Sequence, residues 1–512
     1  MNKTRSLAAG SYLALVAACL ALPVLADSPP RVRIDSGELQ GVYASDVVSF
    51  KGIPYAAPPV GDRRWRAPQP VKAWVDVRNA DKVGALCMQK INPTDNGVGP
   101  PPASEDCLNL DVYAPAGKAA AKLPVMFWIH GGGYVNGSGT ATLYDGSELA
   151  KQGVVVVSIN YRLGRFGFFA HPALTAETPG GPLGNYGFMD QIAALQWVKR
   201  NIAAFGGDVG NVTIFGESAG GGSVNHLMTS PAARGLFHKA ISQSGIARTD
   251  FAYLNRANAS GVPSAEDQGK QFATKLGVAD SVAALRAISA DAIVAAGDFD
   301  LLGGGGPMID GKIVTDRIDV SFSRGEQAHV AYLVGSNELE FPPAWLVGGH
   351  FDALTRFADK LHANLLSAYG SEEALKLNIV SDLLFTEPAL FLSRAQSKVA
   401  PVYLYKFSVL SKAAPALIKA APHASDRQYV FRTLKASPWP TDSMDEHAAA
   451  QISAYWVAFA AGGNPNGAGR PQWPAFSVKD EQLLNFRNDG PVAVKVPNLP
   501  VLEAISAGYA LQ

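Results

Sequence analysis

Charge bias is absent from this 512-residue chain: lysine plus arginine and aspartate plus glutamate number 44 each, and no basic stripe stands out. Recognition of a phosphate backbone needs clustered cations, so no nucleic-acid partner is expected. Long apolar runs are missing beyond the N-terminus. No later segment reaches the ~18 consecutive apolar residues of a spanning helix, which excludes a transmembrane segment there. Cysteine is scarce, at three residues, and no Cys/His cluster suggests a metal site. Pro/Ser-rich linkers, internal repeats and charge runs are lacking too, so residues 27–512 are expected to form one large domain with insertions. With 47% hydrophobic and 17% charged side chains, the chain can bury a large core.

What is present starts with a targeting segment. Lys3 and Arg5 precede an apolar or small-residue stretch from Leu7 to Leu22, and Val24-Leu25-Ala26 before Asp27 fits a small-residue cleavage site. Residues 1–26 therefore read as a signal peptide, and the mature protein as secreted or periplasmic. The rival is Val16-Ala17-Ala18-Cys19, which resembles a bacterial lipobox and would leave a lipid anchor at Cys19, although apolar Leu20 to Leu25 is an unusual tether. Export bears on Cys87 and Cys107, which bracket a loop with Pro93, Pro100, Pro101 and Pro102. In an oxidising compartment they are expected to pair, stabilising the fold by about 3 kcal/mol on the loop-entropy account; the alternative is two separate buried thiols.

Strand-like and helical runs alternate along most of the chain. Leu123 to Ile129 and Gly153 to Asn160 are continuous apolar runs, the signature of strands buried on both faces. Tyr186 to Phe205 carries Ile192, Leu195, Trp197, Val198 and Ile202 at helical spacing. Further strands are expected at 240–242, 331–334 and 402–405, with short antiparallel strands from Arg31 to Tyr55 at the sheet edge. The succession predicts an α/β fold, a mainly parallel sheet with helices on both faces.

Two motifs carry chemistry. Val212 to Phe215 is a strand-like run that breaks at Gly216-Glu217-Ser218-Ala219-Gly220 and continues as a helix. A serine between glycines at such a turn is a nucleophile elbow: its hydroxyl points outward at a helix N-terminus, where backbone N–H groups favour developing negative charge. His130-Gly131-Gly132-Gly133-Tyr134 directly follows the Leu123 to Ile129 strand. Its uncovered amides can converge on a small anion, so Gly132, Gly133 and Ala219 are candidates for a three-donor oxyanion hole.

These motifs, together with 105–110 (EDCLNL), Asn185-Tyr186-Gly187, Asp190-Gln191, Phe205 to Asp208, Gln243-Ser244-Gly245, Asn464-Pro465-Asn466 and Trp473-Pro474, resemble the type B carboxylesterase family, which includes the cholinesterases. The likeness runs from about Gly37 through nearly all of the mature chain. It implies an α/β-hydrolase fold with large loop and helical insertions, and a Ser, Glu, His order of catalytic residues. The family's acid segment is similar to Gly335-Ser336-Asn337-Glu338-Leu339-Glu340-Phe341, which puts Glu340 at the acid position. Leu339 and Phe341 stand where the family has Asp and Gly, so Glu338 remains a rival, and both could be solvated loop carboxylates. Chain order limits the base to His350, His362, His423 or His447. Ala421 to Asp426 is similar to the family's histidine loop and selects His423, whereas His447 falls in a helix-like stretch from Asp445 to Trp456. Ser244 resembles a buried family serine that supports acid and base, or simply ends a strand. Glu217 either polarises the site or hydrogen-bonds the turn.

The implied activity is hydrolysis of a small-molecule carboxylic ester through an acyl-enzyme, with no metal or organic cofactor. Cholinesterases carry a tryptophan for quaternary ammonium in the loop that Cys87 and Cys107 bracket here; Met88 to Asp106 has no aromatic residue, which argues against a choline ester. Uncharged esters with apolar groups, met by residues such as Phe341, Trp345 or Phe351, fit better. The Gly303 to Gly306 run either borders the entrance as a mobile loop or joins elements. The alternative class is a non-catalytic cell-surface binding protein of the same fold, against which intact Ser218, His423 and the glycine loop speak.

Overall fold

The computed structural model describes residues 29–91, 97–99, 102–259, 261–297, 306–341 and 361–509. The signal peptide, Cys19, Gly303 to Gly305, Trp345, His350 and Phe351 lie outside the described residues. Eleven strands form the main sheet. In chain order they are β1 (Val42–Ala44), β2 (Val47–Pro54), β3 (Asn109–Pro115), β4 (Leu123–Ile129), β5 (Val155–Ile159), β6 (Gly207–Glu217), β7 (Lys239–Gln243), β8 (Ala331–Asn337), β9 (Val402–Phe407), β10 (Gln482–Phe486) and β11 (Val492–Lys495). Their spatial order is β11-β10-β9-β8-β7-β6-β4-β5-β3-β2-β1. From β5 across to β10 every neighbour pair is parallel. The two ends are antiparallel.

Burial follows the alternation of side chains along a strand. In β4, Val125, Phe127 and Ile129 enter one core while Met126 and Trp128 enter the other. Helices α1 (Tyr186–Asn201), α2 (Ala219–Thr229) and α3 (Glu387–Gln396) cover the first face through Ile192, Leu195, Val224, Leu227 and Leu390. The opposite face is covered by α5 (Ser443–Gly462), through Ile452, Tyr455, Trp456 and Phe459, and by the short α4 (Arg427–Phe431). Because both faces are dry, a continuous apolar run rather than an alternating one marks the central strands. Helix α5 begins at a capping box in which Asp442 and Asp445 satisfy each other's backbone N–H groups.

One expectation is corrected. Arg31–Ile34 and Gly37–Gln40 do pair antiparallel, but with Arg78–Asn79 they form a separate three-stranded sheet; only β1 and β2 occupy the edge of the main one. Local alternation fixes that two strands pair, whereas the sheet they join depends on a segment about forty residues away. Cys87 and Cys107 are joined as a disulfide.

Candidate active site

The parallel strands end in register, which sets their C-terminal loops side by side. Gly216 in β6 lies opposite Ile129 in β4, Glu217 opposite Gln243 in β7, and Gln243 opposite Gly335 in β8. Ligand sites of open α/β sheets form at these strand ends. Two bonds continue the ladder into the loops: Ser218 N–H donates to the Gln243 carbonyl at 2.9 Å, and Ser244 N–H to the Gly335 carbonyl at 2.9 Å.

Ser218 has φ 57° and ψ −120°, a strained conformation for a residue with a Cβ. The glycines beside it are required by contact distance. A Cβ on Gly216 would lie 2.5 Å from the Gly220 carbonyl oxygen, and one on Gly220 only 2.1 Å from that of Ile129. Any larger residue would push α2 off β4 and open the turn. Ala219 is the first residue of α2, so its N–H has no intrahelical acceptor. Across from it, Gly132 and Gly133 adopt φ 98° and 60°. Among the described residues, neither of their amides donates to another protein group.

Three side chains expected from the sequence come together. His423 Nε2 is 2.8 Å from Ser218 Oγ, and His423 Nδ1 is 2.6 Å from Glu340 Oε2. An ionised carboxylate only accepts, so Nδ1 carries the proton and Nε2 offers its lone pair to the serine hydroxyl. Glu340 is fully buried, and its Oε1 accepts from Ser244 Oγ at 2.6 Å and from the Asn337 N–H at 2.6 Å. Burial works against a charged His423, but the Glu217 carboxylate and the Glu340 hydrogen bond and charge outweigh it and hold the imidazole above the ordinary histidine value.

The other candidates lie elsewhere. Glu338 bonds to Ser408 Oγ and lies 3.0 Å from Lys406 Nζ, away from the imidazole. His362, exposed at the start of a helix at His362–Tyr369, pairs with Glu372 at 2.7 Å, and His447 is exposed on α5. Glu217 is buried beside the site, with Oε1 3.3 Å from His423 Nε2. Phe341, where the family has glycine, sets its ring 4.6 Å from that of His423.

Several supporting residues escaped the sequence. Asn337 donates from Nδ2 to the Pro422 carbonyl at 2.7 Å, and the His423 N–H donates to the Glu340 carbonyl at 2.8 Å, so the loops that carry Glu340 and His423 are tied at two points. Phe385, from a π-helical turn at Asp382–Thr386, lies 5.0 Å from the His423 ring on centroids. Gln89 clamps Gly137 at the far end of the glycine loop, donating to its carbonyl and accepting from its N–H, both at 2.9 Å. Gln89 is two residues from the disulfide, so the cross-link anchors the loop whose amides face the elbow. Only the Asn337 position, closing a strand just before the acid, gave a usable signal in the sequence.

Sheet order, elbow and glycine loop define an α/β-hydrolase. The sequence profile of the carboxylesterase family matches residues 28–346 and 368–498. The chain belongs to that family and is a carboxylic-ester hydrolase. Fumonisin B1 esterase of Sphingopyxis macrogoltabida is 35% identical over 492 residues, covering 91% of this chain and 88% of the relative. Para-nitrobenzyl esterase of Bacillus subtilis (strain 168) is 35% identical over 488 residues, covering 88% and 94%. A solved PNB esterase superposes with a TM-score of 0.80 at 32% identity, covering 93% of this chain and 100% of that chain.

Proposed function

We propose that the protein hydrolyses uncharged carboxylic esters through an acyl-enzyme formed on Ser218, with His423 as general base and acid and Glu340 as its orienting carboxylate. The observation that carries the reading is the pair of hydrogen bonds on one imidazole, 2.8 Å to Ser218 Oγ and 2.6 Å to Glu340. Ser218 Oγ attacks the ester carbonyl carbon as its proton passes to His423 Nε2. The carbonyl electron pair becomes an oxyanion, received by the amides of Gly132, Gly133 and Ala219. Collapse breaks the ester C–O bond, and the imidazolium returns its proton to the leaving alcohol. Water then repeats both steps on the acyl-enzyme. Glu340 keeps the proton on Nδ1 and balances the transient cation, and Ser244 and Asn337 hold that carboxylate in place.

An apolar substrate is favoured by Phe341 and Phe385, which line the imidazole side of the site. The lack of any aromatic residue from Met88 to Asp106 speaks against a choline ester. A disulfide between Cys87 and Cys107 accords with export to an oxidising compartment as one catalytic domain beginning near Asp27.

Incubation with an organophosphate followed by intact-mass analysis tests the reading. A single adduct on Ser218 is expected, with Ser218→Ala unlabelled and its kcat lower by on the order of 10⁴-fold or more. An unlabelled wild type without turnover would instead mark a binding protein, and full turnover by folded Ser218→Ala would remove the serine from its role.

A further inference from the structure

Glu217 immediately precedes the nucleophile, and its two oxygens face different partners. Oε1 lies 3.3 Å from His423 Nε2 and is buried with no hydrogen-bond partner among the described groups. Oε2 lies 3.9 Å from Arg427 Nε. The Arg427 side chain is only 13% exposed and is pinned at the start of α4: its Nε donates to the Ala424 carbonyl at 2.8 Å and its Nη1 to the Tyr144 hydroxyl at 2.7 Å. Among the described residues, the carboxylates of Asp426 and Glu340 also bear on Glu217, and the nearby phenols of Tyr161 and Tyr405 are kept neutral by burial. Left to burial and these acids, Glu217 moves towards its protonated form; it is pushed up to about 7 even with His423 and Arg427 beside it.

The charge state of Glu217 decides whether the imidazole can work. A protonated Glu217 places a hydroxyl 3.3 Å from Nε2, the atom that must accept the Ser218 proton, and donates into the same lone pair. Ionised, the carboxylate can only accept, so it leaves Nε2 to the serine and favours the imidazolium that forms. We propose that Arg427 is a positioning residue that favours the ionised form of Glu217 and thereby keeps the His423 lone pair free for Ser218. The proposal rests on the Ser218 and His423 roles given above. It assigns a task to a cation that the hydrolytic steps themselves do not use.

The test is the pH dependence of kcat/KM for the wild type, Arg427→Met, Arg427→Lys, Glu217→Gln and the double variant Glu217→Gln/Arg427→Met. An opposite charge within ~4–6 Å shifts a carboxylate by about 1–3 units, so Arg427→Met should move the acid limb up by about one unit or more. Activity at pH 7 falls about ten-fold and returns at alkaline pH, and Arg427→Lys keeps the wild-type profile. Glu217→Gln moves the limb the other way, because the imidazole loses a counter-charge, while its amide, like a protonated Glu217, can donate to Nε2 and lowers the plateau; in that background Arg427→Met adds only the smaller upward shift that comes from removing its own repulsion of the imidazolium. An unmoved limb in folded Arg427→Met, or an equal upward shift in both backgrounds, overturns the proposal. Should circular dichroism show that Arg427→Met does not fold, Arg427→Gln, which removes the charge and keeps polar contacts, takes its place with the same outcomes. Failure of the underlying serine mechanism is seen separately, as a wild type that an organophosphate does not label.

Discussion

His423 stands between Phe341 and Phe385, with ring centroids 4.6 and 5.0 Å away, and His226 on α2 stands between Phe188 and Phe251, at 4.8 and 5.6 Å. Both imidazoles are largely removed from water. Among the described residues, neither ring nitrogen of His226 has a hydrogen-bond partner, and burial pushes it down to about 3. His423 is raised instead, since Glu217 and Glu340 more than offset the same burial. Rings and burial are common to both sites, so carboxylate partners make the difference between an inert histidine and one able to accept a proton. Geometry at the ends of β6 and β8 supplies those partners; the middle of α2 supplies none.

Stripping His423 of its carboxylate should erase the difference and produce the largest effect. Glu340→Gln keeps the shape, but its amide can donate to Nδ1 and so favours the tautomer that protonates Nε2. A fall in kcat on the order of 10³–10⁴-fold is expected, with the protein still folded. Steady-state kinetics on a simple aryl ester reads it, and a loss under ten-fold would place the orienting carboxylate elsewhere.

The two histidines should also leave opposite marks on stability. An unfolded histidine titrates near 6.5, while folded His226 stays neutral down to about 3. Between those values the unfolded chain binds the extra proton, so stability falls as pH drops, by about 1.4 kcal/mol per pH unit. His423, raised when folded, contributes stability that is fully present below 6.5 and is lost as pH rises through its folded value. Urea melts of the wild type and His226→Leu at pH 7 and pH 5 isolate the first effect: the variant should lose about 2 kcal/mol less than the wild type between them. His130, down to about 4 through burial, is common to both proteins and cancels. Equal losses would mean that His226 reaches water or a partner.

Much of this was legible in the sequence because it is local. The continuous apolar runs gave β4 and β5, and Gly216 and Gly220 gave the elbow, since one turn must bring α2 against β4. Chain order and the histidine loop pointed to His423. Between Glu338 and Glu340, local pattern left both open: the two are neighbours on one loop, and only the fold shows Lys406 and Ser408 meeting one while His423 meets the other. Gln89, Phe385 and Arg427 were invisible for the same reason. Each acts on a segment 38 to 210 positions away, and no periodicity or spacing encodes such a meeting. Glu217 was noticed beside the serine, but not the arginine that faces its second oxygen.

The smallest expected effect falls on the rings, and it sharpens the comparison from the other side. If carboxylates rather than phenyl faces govern His423, then Phe341→Leu and Phe385→Leu should cost far less than Glu340→Gln. An aromatic face near a cation contributes about 0.5–2 kcal/mol, and the imidazolium exists only transiently, so a two- to ten-fold fall in kcat is expected for each. The acid limb of the pH profile should move down slightly, because the rings favour the charged form. Tyrosine at either position keeps the π face and should restore most of the activity. A loss from Phe385→Leu as deep as that from Glu340→Gln, with the fold intact, would mean that the ring sets the imidazole's orientation. The contrast with His226 would then rest on packing rather than on charge.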